Sequence, residues 1–253
     1  MLQRVLTIAR WTVTELLRER ILYVALLFVV VLVAGSCVLT PLAPGAQRKV
    51  VADFGLASID VLGVLVILLS GCGLVRREIE RRSLEVLLCK PLSRLEYLLG
   101  KCLGLFTTLC ALVLVMTVLF GVMALVSGVG WRMQFLWAIG ATLFELLIVA
   151  SLAVLFSVVT SPTLAALFTL SLFAAGHLQD TIVRLAHNDS VDRISNAVRW
   201  LVPALEVFDV RAEVVYGVAI PRGQVLGGAA YAALYAVTAV FLASVVFRRK
   251  ELK

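Results

Sequence analysis

RREIERRSLEVLLCKPLSRLEYLLGK, residues 76–101, is a polar island between two long apolar runs. It carries the cations Arg76, Arg77, Arg81, Arg82, Lys90, Arg94 and Lys101 against the acids Glu78, Glu80, Glu85 and Glu96. Its local signals are nonetheless helical. Leu84, Leu87 and Leu88 fall on one face of a short helix that Pro91 must end, because proline lacks the amide hydrogen and its ring clashes with the preceding turn. Ser93 and Glu96 then form a capping box, and Leu92 and Tyr97 are spaced for the accompanying hydrophobic staple. The island reads as an amphipathic helix, a proline-ended turn and a newly capped helix. A compact basic element of this kind between two membrane spans suits a docking surface for a soluble partner. The plainer alternative is a solvated loop held inside by its positive charge.

The sequence on either side of the island defines the class. Of 253 residues, 62% are hydrophobic, where a soluble domain is about half apolar, and mean hydropathy is +1.04. The apolar residues gather into runs long enough to cross a bilayer, so the fold class is an all-α integral membrane protein, a single transmembrane domain over 1–253. Six transmembrane helices are expected: Ile21–Leu39, Phe54–Val75, Cys102–Val126, Phe135–Val159, Thr163–Ala175 and Leu226–Phe247. The fifth is short and reaches adequate length only from near Ser161 to Leu178. Pro41, Pro44 and Gly45 mark a loop over Thr40–Asp53, and Thr160-Ser161-Pro162 marks a very tight turn.

Residues 1–20 place Leu2, Val5, Leu6, Ala9, Val13, Leu16 and Leu17 on one helical face, with Arg4, Thr14, Glu15 and Arg18 opposite. This predicts an amphipathic helix on the membrane surface. Trp11 falls towards its polar side. Twenty charged, amphipathic residues ahead of the apolar run are too many for a signal peptide.

The net charge of +7 is best read through topology, because no basic patch interleaves with aromatics as a nucleic-acid surface would need. With both termini inside, the cytoplasmic segments hold 15 of the 23 lysines and arginines and the outer segments eight. That asymmetry predicts a cytoplasmic N-terminus and C-terminus.

The long outer segment, residues 177–225, is too patterned for a linker. Thr181–Ala186 and Val191–Leu201 are short amphipathic pieces separated by His187-Asn188-Asp189-Ser190. They fit outer re-entrant helices, tolerated at membrane depth only where protein covers the backbone, or a pair of helices flat on the outer surface.

Few residues look chemical. Cys37, Cys72, Cys89, Cys102 and Cys110 form no C-x-x-C pair and lack histidines at ligand spacing, so neither a disulfide framework nor a zinc site is expected. Glu145 reads as the only acid deep inside a span, near the middle of the fourth; an ionisable group there is costly and marks either a pathway residue or a paired glutamate that ties helices together. Asp60, in the outer part of the second span, fits an interface or capping acid. His177 and His187 are unpaired in sequence and fit solvated or capping roles, so no metal ligand is expected. Gly100 and Gly104 form a G-x-x-x-G that permits close helix contact.

An N-terminal amphipathic helix, six spans, a charged island after the second and a broken outer segment before the sixth resemble the permease subunits of ABC-2 type transporters. The sharpest local matches are Glu78, Leu84-Glu85-Val86-Leu87-Leu88, Pro91-Leu92-Ser93-Arg94 and Leu99-Gly100-Lys101, with the ending Phe247-Arg248-Arg249-Lys250. Arg82-Ser83 stand where the family often has Gly-Thr. Val202-Pro203, Phe208-Asp209-Val210 and Val215-Tyr216-Gly217 resemble the branch that includes the permease of nitrous oxide reductase maturation. The resemblance implies a non-catalytic permease, with export as the direction, in the bacterial inner membrane. It implies that ATP and Mg are held by a separate cytoplasmic ABC ATPase, that a second permease copy completes the pathway, and that the island is the coupling helix. Glu78, Leu84, Glu85, Leu87, Leu88, Pro91 and Arg94 would then meet the ATPase. The absence of a G-x-x-x-x-G-K-[ST] loop from these residues agrees, since ATP phosphates need that cradle. A membrane anchor that recruits an ATPase without moving a solute is the other reading. No H-E-x-x-H or nucleophile motif points to an enzyme.

Overall fold

The computed structural model of the chain describes residues 2–42, 46–74, 94–128, 130–179, 202–218 and 222–249. All regular structure among these residues is helical. Helix α1 spans Leu2–Leu42 and α2 spans Gln47–Val66, continued by a π-helical turn over Ile67–Gly71. Helix α3 is Arg94–Val126, α4 is Gln134–Val159 and α5 is Pro162–His177. A 3₁₀ turn at Leu205–Phe208 and the short α6, Arg211–Tyr216, precede α7, Arg222–Arg249.

Among the described residues, four helical stretches are long and apolar enough to cross a membrane: Gln47–Gly71, Glu96–Val126, Gln134–Val159 and Gly223–Phe247. Tyr23–Val38 and Pro162–His177 are apolar but shorter. Helix α4 is the hub, packing against α2, α3, α5, α6 and α7. Leu146, Ala150, Ala153 and Val154 on it are fully buried. The apolar side chains left outward on α3 and α7, such as Leu114, Val118, Leu234 and Phe241, would be unfavourable in water but neutral against lipid tails.

Several boundaries differ from the sequence reading. Helix α1 is one helix of 41 residues with no break near Arg20. At 1.5 Å per residue it is about 62 Å long, twice the thickness of a hydrocarbon core. Charge at Arg18, Glu19 and Arg20 suggested an end, but arginine and glutamate are good helix formers, and polarity by itself does not stop a helix. Its first half is also not a free interfacial helix. Val5, Ala9 and Thr12 form its buried stripe, while Leu6 is exposed, and this stripe packs on α3. The glycines explain the fit: a Cβ on Gly100 would lie 2.8 Å from Ile8 Cβ, and one on Gly104 would lie 2.6 Å from Thr12 Cβ and 3.0 Å from the Ala9 carbonyl oxygen. Only glycine permits this approach, so the G-x-x-x-G is the seat of α1. Trp11 also finds its place there, since the Lys101 ammonium sits 4.6 Å from its ring centroid. Lys101 is 1% exposed and its Nζ is 3.9 Å from Glu15 Oε2.

The expected loop over Thr40–Asp53 shrinks, because α2 already begins at Gln47 and contains Arg48, Lys49 and Asp53. Helix α3 is described from Arg94, and Ser93 of the expected capping box lies outside the described residues. Helix α5 opens with Pro162 in its first turn after an extended Ser161, as the tight turn predicts. Helix α7 starts at Arg222, four residues ahead of the apolar run.

Contacts sort the helix ends. Tyr97 stacks on Phe247 with centroids 6.3 Å apart, so the starts of α1 and α3 and the end of α7 share one end of the bundle. Gly35 meets Phe54, and Phe120 stacks edge-on against Phe135, so the end of α1, the first half of α2, the end of α3 and the start of α4 share the other. The amphipathic pieces expected at Thr181–Ala186 and Val191–Leu201 lie outside the described residues, as do Glu78, Leu84, Glu85, Leu87, Leu88 and Pro91.

Candidate functional site

Three ionisable side chains meet inside the bundle. Asp60 on α2 and Glu145 on α4 are 4% and 2% exposed, and His177 closes α5. One ligand-type atom from each lies within 4.8 Å of the others. Their common height follows from helix arithmetic. Glu145 and His177 stand nearly equal numbers of residues either side of the Thr160-Ser161 turn, so each is roughly 23 Å from it along antiparallel helices.

This revises three sequence expectations. Asp60 is not in the outer part of its span, because α2 starts early and carries it to mid-helix. Glu145 is not the only buried acid in the apolar helices. His177 is not solvated: its Nε2 is 3.3 Å from Glu145 Oε1, and its side chain is 22% exposed.

The histidine is held by its other nitrogen. Nδ1 lies 3.4 Å from the Phe173 carbonyl oxygen one turn earlier, and the imidazole packs on the Phe173 ring at 4.7 Å. A carbonyl can only accept, so a neutral imidazole bonded this way carries its proton on Nδ1 and turns a bare Nε2 towards the carboxylate. Two acceptors then face each other. Glu145 Oε1 and Asp60 Oδ1 have no hydrogen-bond partner among the described residues, and buried polar atoms without partners are rare. The chemistry calls for something positive between them, a proton or a cation.

A second layer comes from the segment after the 3₁₀ turn. Arg211 donates from Nε to Asp209 Oδ1 at 2.7 Å and from Nη2 to Oδ2 at 3.0 Å, a two-pronged charge-assisted pair. Burial alone would push the Asp209 carboxyl up, but the Arg211 hydrogen bond and charge, with help from His177, hold it below the ordinary aspartate value. Its hydrogen bond to Asp209 likewise raises Arg211, whose charge also acts on Asp60 and Glu145. Helix α6 packs on α2 and α4, and Gly217, at φ 77°, ends it in the left-handed conformation suited to glycine. A cleft beside this layer is lined by Ala141, Phe144, Phe208, Val210 and Gln224.

Sequence reasoning named Asp60 and Glu145 separately and did not join them. It missed Asp209 and Arg211 as site residues, although Phe208-Asp209-Val210 stood out as a motif. The near-equal spacing of Glu145 and His177 about Ser161 was the available signal. Of the island residues, Arg94 opens α3. Cys37, Cys72, Cys102 and Cys110 are free thiols on or beside the helices, away from any pairing.

A bundle of long apolar helices with charged groups gathered at its centre defines a polytopic membrane protein. The model of the ABC-2 family transporter proteins matches residues 6–252, and the chain belongs to that family, as an ABC transporter permease. No curated protein matches it.

Proposed function

We propose that the chain is the membrane subunit of an exporter in the bacterial cytoplasmic membrane, driven by a separate cytoplasmic ABC ATPase that holds ATP and Mg. Two permease copies enclose the pathway. Each crosses six times, with α1 and the segment that α5 opens as the fifth and sixth crossings beside the four long helices, and both termini are cytoplasmic. The family match along residues 6–252 carries this reading. The resemblance of Val202-Pro203, Phe208-Asp209-Val210 and Val215-Tyr216-Gly217 favours the branch that contains the permease of nitrous oxide reductase maturation. Packing of residues 202–218 against α4, α5 and α7 supports a re-entrant outer segment, since such backbone survives at depth only under protein cover.

In this mechanism the island is the coupling helix. ATPase closure around nucleotide presses on Leu84–Cys89, and the push enters α3 at Arg94. Helix α3 is seated on α1 through Gly100 and Gly104, so the two helices tilt as one body. The apolar face Leu84, Leu87 and Leu88 explains the docking: left in water, each side chain forgoes burial worth about 1.5–3 kcal/mol, and a groove on the ATPase would recover it.

The test is Leu87→Asp. The permease is expected to insert and fold, yet to lose co-purification with its ATPase and ATP-driven transport in liposomes. An intact complex with unchanged hydrolysis and transport would remove the docking role from residues 76–101.

A further inference from the structure

We propose that Asp60, Glu145 and His177 bind one divalent first-row transition-metal ion, of the borderline kind typified by Zn²⁺. Four observations converge. The three ligand-type atoms already lie within 4.8 Å of one another. The 3.3 Å from His177 Nε2 to Glu145 Oε1 equals the separation of about 3.3 Å between neighbouring ligands in a tetrahedron with bonds of roughly 2.0–2.1 Å. Asp60 supplies the third corner, its carboxylate oxygen no more than 4.8 Å from either of the other two atoms. The partnerless Asp60 Oδ1 and Glu145 Oε1 are both buried, and a bound cation is a standard reason for such atoms.

The orientation of the histidine is the fourth. Metal-bound imidazoles characteristically donate their second N–H to a carbonyl or carboxylate, which fixes the tautomer and aims the free nitrogen at the ion. His177 has this arrangement, with Nδ1 on the Phe173 carbonyl oxygen. It differs from a histidine that merely neutralises Glu145, which would present an N–H to the acid in hydrogen-bonding geometry; the 3.3 Å approach does not make that bond, since Glu145 Oε1 remains partnerless.

The donor set selects the ion. Two carboxylates and one imidazole suit Zn²⁺, Mn²⁺ or Fe²⁺. Mg²⁺ keeps several waters and demands an octahedron of oxygens, for which a buried three-residue site with a nitrogen donor is poorly made. Copper(I) prefers sulfur, and the buried Cys72 thiol is engaged with Thr169 instead, Sγ to Oγ1 3.6 Å. Charge balances as well. Two carboxylates and a neutral imidazole match a dication, while Arg211 is neutralised by its own bidentate partner Asp209. The fourth position stays open to water or a polar cargo group. Because the ligands come from α2, α4 and α5, the ion ties together three helices that a transport cycle would move relative to one another. The site stands on side-chain geometry alone and does not depend on ATPase coupling.

The experiment uses the full-length untagged chain in nanodiscs, stripped with chelator and titrated with Zn²⁺ by calorimetry, with Mg²⁺ as comparator. One Zn²⁺ per chain is expected, with Mg²⁺ binding far weaker. Asp60→Asn, Glu145→Gln and His177→Gln should each weaken Zn²⁺ at least tenfold and abolish the rise in melting temperature that Zn²⁺ gives the unaltered chain. Co²⁺ substitution of the unaltered chain supplies a reading independent of whether any variant folds: intense visible d–d bands without thiolate charge transfer. No stoichiometric Zn²⁺ binding, or equal binding by folded variants, or Co²⁺ spectra of a fully hydrated ion, would overturn the site.

Discussion

Glu145 shows what a single residue can demand of a membrane fold. It is almost fully enclosed on α4, where a lone carboxylate is costly, and His177, 3.3 Å away, offers no hydrogen bond to Oε1. Glu145→Gln preserves size and one acceptor but removes the negative charge. Transport should fall tenfold or more, equivalent to about 1.4 kcal/mol in the barrier, while the melting temperature in the absence of metal holds or rises. Full transport by a well-folded variant would reduce Glu145 to a packing role. Asp209 makes a different demand, met by Arg211 at the edge of the site. Its carboxyl is held below the ordinary value, so its stabilising effect is present above the unfolded value of about 3.9 and is lost as pH falls through the lower folded value. Asp209→Asn should therefore melt slightly earlier at neutral pH and lose less than the unaltered chain on acidification below about pH 4. The difference is small because Asp209 is about a third exposed and solvent screens the pair. Parallel melting curves across that range would show that the pair contributes nothing.

Among the elements, the pairing of α1 with α3 is the one most easily tested by a single atom. Gly104→Val must push its new side chain into Thr12 and the Ala9 carbonyl, and overpacking of this kind costs about 1–3 kcal/mol. Gly140, on α4, has nothing within 4 Å of a Cβ, so Gly140→Ala should be neutral or gain up to about 1 kcal/mol of helix propensity. Thermal melting in detergent separates the two; equal behaviour would mean that α1 is not seated on these glycines. The same element shows how much could be read beforehand. Apolar runs marked the long helices, and Pro162 marked the start of α5, because proline acts locally. The length of α1 was not legible, since the charges at 18–20 imitate an end without breaking a hydrogen bond. The seat of α1 was half legible: Gly100 and Gly104 offered a contact, but nothing local named Ile8 and Thr12 as the partners. The site was legible only in part for the same reason. Asp60, Glu145, His177 and Asp209 come from separate segments, and only folding brings them together.

The orientation proposed for the whole molecule, with both termini cytoplasmic, rests on two features. Stacking of Tyr97 on Phe247 and the seating of Ile8 on Gly100 put the first half of α1, the start of α3 and the end of α7 at one end. The sequence concentrates 15 of its 23 lysines and arginines in the segments assigned to that side, which the positive-inside rule makes cytoplasmic. Lys49, 4.6 Å from the centre of the Tyr216 ring, belongs to the opposite end, where few cations compete. Single cysteines introduced at Arg10, Arg48, Arg82 and Arg132, in a chain whose five native cysteines are replaced by alanine, distinguish the two faces. A membrane-impermeant maleimide applied to intact cells should label positions 48 and 132 and leave 10 and 82 untouched until the membrane is opened. Labelling at 10 and 82 with protection at 48 and 132 would invert the molecule, and residues 76–101 would then face away from any cytoplasmic ATPase. A mixed pattern, with 10 and 82 on different faces, would instead break the crossing of α1 and α2 on which the six-helix count depends.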